Sequence, residues 1–417
     1  MITNYSTINS CRLCKHDDLY LVLDFGKVSL ANSYPSTQDE IENQYPLTVS
    51  KCAKCGHVQL NETINPEILF TEYAYASSDS PSLIKHFAEF ANTTTSLLEI
   101  EKTDPILEIG SNDGILLKEF ANLGYSNIYG VEPASNIANR STNIGAKIYT
   151  EFFNTELANR IVGEHGKIKL ICANNVFAHI ADIDSVTRGI IELISDNGVF
   201  VFENAYLLDT IKGLYFDQVY HEHLQYYGIL PLTKYLSSHG LEIFRIQKVN
   251  TQGGSFRIYV QKQHGPRPID SSVQMFLDQE NNFKLYNNAT FEDFNNNIQS
   301  LVSEIRQFVD SAKAEGKTIS CYGCPAKFAL FSKVFGLGSS NIKYVVDDSP
   351  LKQNKYSPGS KIPIVNRDYF YTNPTDYCII SVWNMAEAII QKNKSYTGHF
   401  VIPMPQFIVQ PKFLPYY

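Results

Sequence analysis

Between residues 106 and 262 short apolar runs alternate with helically spaced stretches, at 106–109, 128–131, 147–149, 170–173, 198–203, 241–249 and 256–261. Each run is too short for a buried helix, and most are separated by enough chain for a crossover helix. That rhythm predicts a parallel β-sheet covered by helices on both faces, with the last two runs pairing antiparallel at one edge. The asparagine-rich stretch 279–299 carries scattered apolar residues and predicts the start of a helix. A second alternating unit follows, with strands expected at 318–322, 342–347, 362–365 and 377–381, so the C-terminal part forms a smaller α/β layer of its own. No repeat of solenoid period and no compositionally simple segment interrupts the pattern.

The first run breaks into a glycine turn, Ile106-Leu107-Glu108-Ile109-Gly110-Ser111-Asn112-Asp113-Gly114, and then into the helical spacing of residues 115–120. Gly110 and Gly114 let the backbone pass close to a ligand, while Asn112 and Asp113 bring polar side chains to it. The next run ends in Glu132, placed to accept hydrogen bonds from the two hydroxyls of a ribose. The third glycine of the dinucleotide fingerprint is missing, and Glu108 and Asp113 put negative charge where a pyrophosphate would lie. A cationic, phosphate-free adenosine cofactor suits this turn, and S-adenosylmethionine is such a molecule. The fourth run ends in Asn174-Asn175, where polar residues at the carboxyl end of a parallel strand face the ligand crevice.

The 417 residues imply two or three domains. A net charge of -8 gives no basic field for nucleic acid. No apolar run reaches the length needed to cross a bilayer, and residues 1–4 lack a signal-peptide pattern, so a soluble, cytoplasmic protein with reduced thiols is expected. In that compartment Cys11-x-x-Cys14 and Cys52-x-x-Cys55 form two matched hooks that together supply the four sulfur ligands of a tetrahedral, structural zinc. His16 and His57 adjoin the hooks, but four thiolates already complete the site. Cys321-x-x-Cys324 has no partner pair and is read as two small thiols packed in a turn, with redox chemistry as the alternative.

Residues 215–227 concentrate titratable and aromatic groups just after the run that ends at Glu203, including Tyr220, His221, Glu222 and His223. A histidine there can serve as a general base. Metal binding is the weaker reading, because the familiar helical two-histidine site spaces its ligands four apart and these lie two apart.

The order of these features resembles the sugar C-methyltransferase family, enzymes that methylate a ring carbon of a nucleotide-linked keto-deoxysugar with S-adenosylmethionine. The matching stretches are the two cysteine hooks, residues 73–78, 108–114, 131–133, 173–180, 220–223, 253–255 and 322–327. The resemblance implies an α/β architecture of three parts: an N-terminal zinc-binding module at 1–70, a central Rossmann-like methyltransferase domain at 71–265, and a C-terminal Rossmann-like α/β domain at 266–417. It implies His223 as the base that forms an enolate, Tyr220 and Glu222 beside it, and Tyr75 reaching in to hydrogen-bond the sugar. It also implies a nucleotide-diphosphate sugar as substrate; a monomer is expected. Gln252 and Cys324 depart from the family pattern. O- or N-methylation of a sugar or small metabolite, and a catalytically silent sugar-nucleotide-binding homologue, are the competing readings.

Overall fold

The computed structural model describes residues 4–70, 76–141, 144–251 and 253–410; Tyr75 and Gln252 lie outside them. The chain divides into two compact units, each assembled from three segments. The first comprises Met1–Tyr20, Lys51–Leu207 and Leu224–Tyr286, the second Leu21–Ser50, Leu208–His223 and Asn287–Tyr417.

The first unit is built on a seven-stranded sheet. Its strands are β1 (Ile106–Ile109), β2 (Ile128–Val131), β3 (Lys147–Tyr149), β4 (Ile168–Asn174), β5 (Ile194–Ala205), β6 (Leu241–Val249) and β7 (Ser255–Lys262). They lie in the order β6-β7-β5-β4-β1-β2-β3. All neighbours from β3 through β5 are parallel, whereas β7 runs antiparallel to both β5 and β6. The chain order reverses between β1 and β4, the switch point at which open α/β sheets bind ligands outside the carboxyl ends of their strands. β1 is buried along its whole length, Glu108 included, as befits a central strand covered on both faces.

One face of this sheet packs Ile106, Leu170, Val199, Val201 and Tyr259 against Phe87, Phe90, Leu116 and Phe120 of the helices Pro81–Leu97 and Ile115–Asn122. Each such side chain contributes about 1.5–3 kcal/mol by leaving water. The helix Ile183–Leu193 buries Ile183, Val186, Ile190 and Leu193 along one stripe and is capped by the Asp182 carboxylate, which accepts from the Ser185 N–H. The helix Pro81–Leu97 precedes the first apolar run of the sheet. Its signal was present in the helical spacing of Phe87, Phe90, Ala91 and Leu98.

The cysteine hooks belong to the same unit. Strand Tyr5–Thr7 pairs antiparallel with Glu62–Ile64, and Val58–Leu60 pairs antiparallel with Gln225–Tyr226.

The second unit carries β8 (Ile319–Tyr322), β9 (Val345–Val346), β10 (Ile364–Val365), β11 (Tyr377–Ile380), β12 (His399–Ile402) and β13 (Ile408–Val409), in the order β10-β9-β8-β11-β12-β13. All neighbours are parallel except β12 and β13. Only Val345 and Val346 of the 342–347 run are paired residues of the ladder, although the Tyr344 carbonyl accepts from the Cys321 amide at 3.0 Å, so β9 is shorter than its sequence suggests. The stretch 279–299 is not one helix: Ser271–Asn282 ends, and a separate helix, Asn288–Ala314, begins. The latter buries Phe291, Phe294, Ile298, Leu301, Val302, Ile305 and Val309 on one face. Among the described residues no helix is long and apolar enough to cross a membrane.

Candidate active site

At the carboxyl end of β1 the chain turns sharply, and the amides of Gly110 and Ser111 both donate to the Val131 carbonyl, at 2.7 and 3.0 Å. Gly110 has φ +68°, and a Cβ there would lie 2.3 Å from Val176 Cγ2. Glycine is required by backbone and by space. Asn112 follows in a left-handed conformation, with φ 49°.

The polar groups of the turn interlock. The Asn112 and Ala134 amides donate to the two oxygens of Glu132, each at 2.9 Å. The Ser77 amide donates to Asn112 Oδ1 at 2.9 Å, and the Ser78 amide to Asp113 Oδ2 at 3.1 Å. The residues leading into the helix Pro81–Leu97 are therefore tied to the glycine turn. Glu132 is held in place by two amides, and each of its oxygens keeps a second lone pair for a hydroxyl.

Several buried polar atoms here lack a partner among the described residues: Glu108 Oε2, Asp113 Oδ1, and both Oδ1 and Nδ2 of Asn174. Burial is the first cause that raises the Glu108 carboxyl well above its usual range, followed by the charges of Glu132 and Asp113. Burial also raises Glu132, against the lowering effect of its two amide donors. Unsatisfied acceptors and crowded carboxylates around a glycine cradle suit a ligand with positive charge, hydroxyls and an amine, and repel a phosphate. The residues fit S-adenosylmethionine on that ground. Asn175 adopts φ 57° and donates its amide to the Glu203 carbonyl at 2.8 Å.

Glu203 itself was not singled out in the sequence. It is buried near the end of β5, accepting from Arg257 Nε at 2.6 Å through one oxygen and meeting His86 Nε2 at 2.7 Å through the other. The available signal was a carboxylate at the end of an apolar strand and an arginine inside another.

The four cysteines of the hooks converge. Their sulfurs all lie within 4.8 Å of one another, with Cys11 Sγ 3.6 Å from Cys55 Sγ and Cys14 Sγ 3.5 Å from Cys52 Sγ. Four sulfurs at about 2.3 Å from a tetrahedral zinc would be separated by about 3.8 Å, so the cluster fits the metal and leaves no open position. Knuckle turns shape it: the Gly56 amide donates to the Cys52 carbonyl at 3.0 Å, and the Cys11 amide to the His16 carbonyl at 2.7 Å. His57 is fully buried against Tyr227, outside the sulfur cluster.

In the second unit, Phe216–Gln218 forms one helical turn ahead of the Tyr220 to His223 segment. His223 Nδ1 lies 2.9 Å from the Gln218 carbonyl, to which it donates. Its Nε2 is therefore the lone-pair nitrogen, and the Tyr220 hydroxyl donates to it at 2.7 Å. Burial lowers the imidazole to about 4, partly offset by the Gln218 bond, so it is neutral at physiological pH. Glu222 is buried and its Oε1 accepts from Asn32 Nδ2 at 2.6 Å. His221 has other work: its Nε2 donates to the Pro46 carbonyl at 3.0 Å and its ring meets Tyr45 edge-on. Among the described residues the two histidines join no metal cluster. Cys321 and Cys324 are fully buried, and burial raises both thiols, leaving them poor nucleophiles.

A parallel sheet whose switch point holds an acidic glycine turn, beside a four-cysteine module, defines the class as an S-adenosylmethionine-dependent methyltransferase. Three family models match in sequence: "Putative zinc binding domain" over residues 11–70, "Methyltransferase domain" over 76–246, and "C-methyltransferase C-terminal domain" over 250–405. The C-methyltransferase NovU of Streptomyces niveus is 31% identical over 404 residues, covering 96% of both chains. The chain belongs to the C-methyltransferase family. Among solved structures, magnesium protoporphyrin IX methyltransferase from Synechocystis PCC 6803 is 14% identical, over 43% of this chain and 84% of that one, with a TM-score of 0.34. An S-adenosylmethionine-dependent methyltransferase from Clostridium acetobutylicum ATCC 824 is 14% identical, over 43% and 92%, with a TM-score of 0.35.

Proposed function

We propose that this C-methyltransferase acts on a nucleotide-diphosphate keto sugar, methylating the ring carbon next to the ketone, with His223 as the base. The observation that carries this reading is the fixed tautomer of His223, whose basic nitrogen is paired with the Tyr220 hydroxyl. A hydrogen beside a carbonyl is acidic enough for a positioned imidazole, and its removal leaves an enolate whose carbon is the nucleophile. Tyr220 turns its hydroxyl from Nε2 to the developing oxyanion, so one group frees the base and stabilises the charge. Glu222, anchored on Asn32, adds a buried carboxylate beside the pair. Tyr75 is assigned a hydrogen bond to the sugar from the family resemblance alone.

Bound S-adenosylmethionine supplies an electrophilic methyl group on a sulfonium. Gly110, Asn112, Asp113, Glu108, Glu132, Asn174 and Asn175 would hold it, with Glu132 taking the ribose hydroxyls. Cys11, Cys14, Cys52 and Cys55 would hold zinc in a structural role. The proposal places the enzyme in the cytoplasm as a monomer.

Candidate nucleotide keto sugars incubated with the protein and S-adenosylmethionine are expected to gain one methyl group on carbon, read by mass spectrometry after mild acid hydrolysis. Without the donor, solvent deuterium should enter the sugar next to the ketone; methylation of oxygen or nitrogen would leave that position unexchanged. His223→Asn should abolish both exchange and turnover while donor affinity stays within about twofold. A variant that keeps most of its rate removes His223 from the role of base.

A further inference from the structure

The turn that precedes His223 is held by a buried ion pair that the chemistry above does not use. Asp217 is fully buried, and its Oδ2 accepts from Trp383 Nε1 at 2.7 Å and from Lys327 Nζ at 2.9 Å. The Lys327 ammonium also lies 4.1 Å from the centroid of the Trp383 ring, and Tyr215 stacks on that ring at 4.1 Å. Phe216 packs beside it, 5.5 Å from Phe335 and 6.3 Å from Phe25 between ring centroids. A desolvated pair of this kind adds little stability over apolar residues of the same volume, so its value lies in fixing a geometry.

What it fixes is the direction of one carbonyl. Asp217 is the middle residue of the turn Phe216–Gln218, closed by the Gln218 amide on the Tyr215 carbonyl at 3.1 Å and the Val219 amide on the Phe216 carbonyl at 3.0 Å. With the Asp217 side chain clamped, the Gln218 carbonyl is aimed at His223 Nδ1. We propose that Asp217, Trp383 and Lys327 are positioning residues that hold the proton of His223 on Nδ1 and so keep the basic lone pair on Nε2. This rests on the reading of His223 as the base, although the tautomer itself can be observed without it.

The test is nitrogen-15 spectroscopy of the full-length protein with labelled histidine, His223→Asn identifying the resonance. Asp217→Ala should move the His223 ring from a single Nδ1–H form to a mixture with Nε2–H, and lower kcat by at least about tenfold with KM for S-adenosylmethionine unchanged. Trp383→Phe keeps an aromatic ring and removes one donor; it gives the same readout, in smaller measure, if Asp217→Ala does not fold. A lower melting temperature with an unchanged nitrogen-15 signature in the folded variants would overturn the proposal, because the clamp would then only stabilise. A shifted tautomer with unchanged kcat would uphold the clamp and reject His223 as the base.

Discussion

Glu108 shows how a single residue can report on its ligand. Burial favours the neutral form of its carboxyl, and the charges of Glu132 and Asp113 act in the same direction. A cationic donor favours the carboxylate, so binding should release a proton, and affinity should strengthen as pH rises through the raised pKa. Titration calorimetry in two buffers of different ionisation enthalpy is expected to show release of up to about one proton with S-adenosylmethionine. The demethylated product, lacking the charged sulfur, should release less. Glu108→Gln should remove the difference and weaken donor binding by about tenfold, or about 1.4 kcal/mol. Heats independent of buffer would show that Glu108 is already ionised in the empty site.

The elements of the first unit are coupled through its buried charges. Arg257 on β7, Glu203 on β5 and His86 on the helix Pro81–Leu97 form one hydrogen-bonded set, with Arg257 also 4.4 Å from the Phe90 ring. The residues just before that helix donate to Asn112 and Asp113 in the glycine turn. Loosening the helix should therefore weaken the donor site as well as the fold. Arg257→Met leaves Glu203 buried with less compensation and should cost about 3–5 kcal/mol, read as a lower urea midpoint. Paired with Glu203→Gln, the loss should shrink, because the uncompensated charge is gone. Equal losses in the single and double variants would mean that the pair contributes packing alone.

At the scale of the whole molecule, the hooks sit in turns between strands, with Cys52 ending the nine-residue strand Gln44–Cys52 and Val58–Leu60 following the second hook. Zinc would tie Cys14 to Cys52, 38 residues on, so its binding free energy would add to that of folding. One zinc per chain is expected by elemental analysis. Cys52→Ser, or a strong chelator, should lower the melting temperature by several degrees, since apparent zinc affinities of about 10–16 kcal/mol are folding free energy in modules of this type. A melting profile indifferent to chelation would remove the metal from the fold.

The sequence by itself determined what depends on neighbours along the chain. Short, mostly apolar runs gave β1, β2 and β3 at their observed bounds, because strands of a covered parallel sheet turn most of their side chains into its packing. The glycine turn with its acids was legible because the turn needs positive φ at Gly110 and Gly114, a local demand that glycine meets without strain. Cysteine spacing gave the hooks, since two thiolates on one knuckle need little else. Tertiary structure alone decided what depends on residues far apart: the order of the sheet, the three-segment assembly of each unit, and the partners of buried charges. Asp217 is 166 residues from Trp383, and Glu203 is 117 from His86. No local pattern carries such a pairing, because hydrogen bonds form between atoms that folding brings together, whatever their separation in sequence.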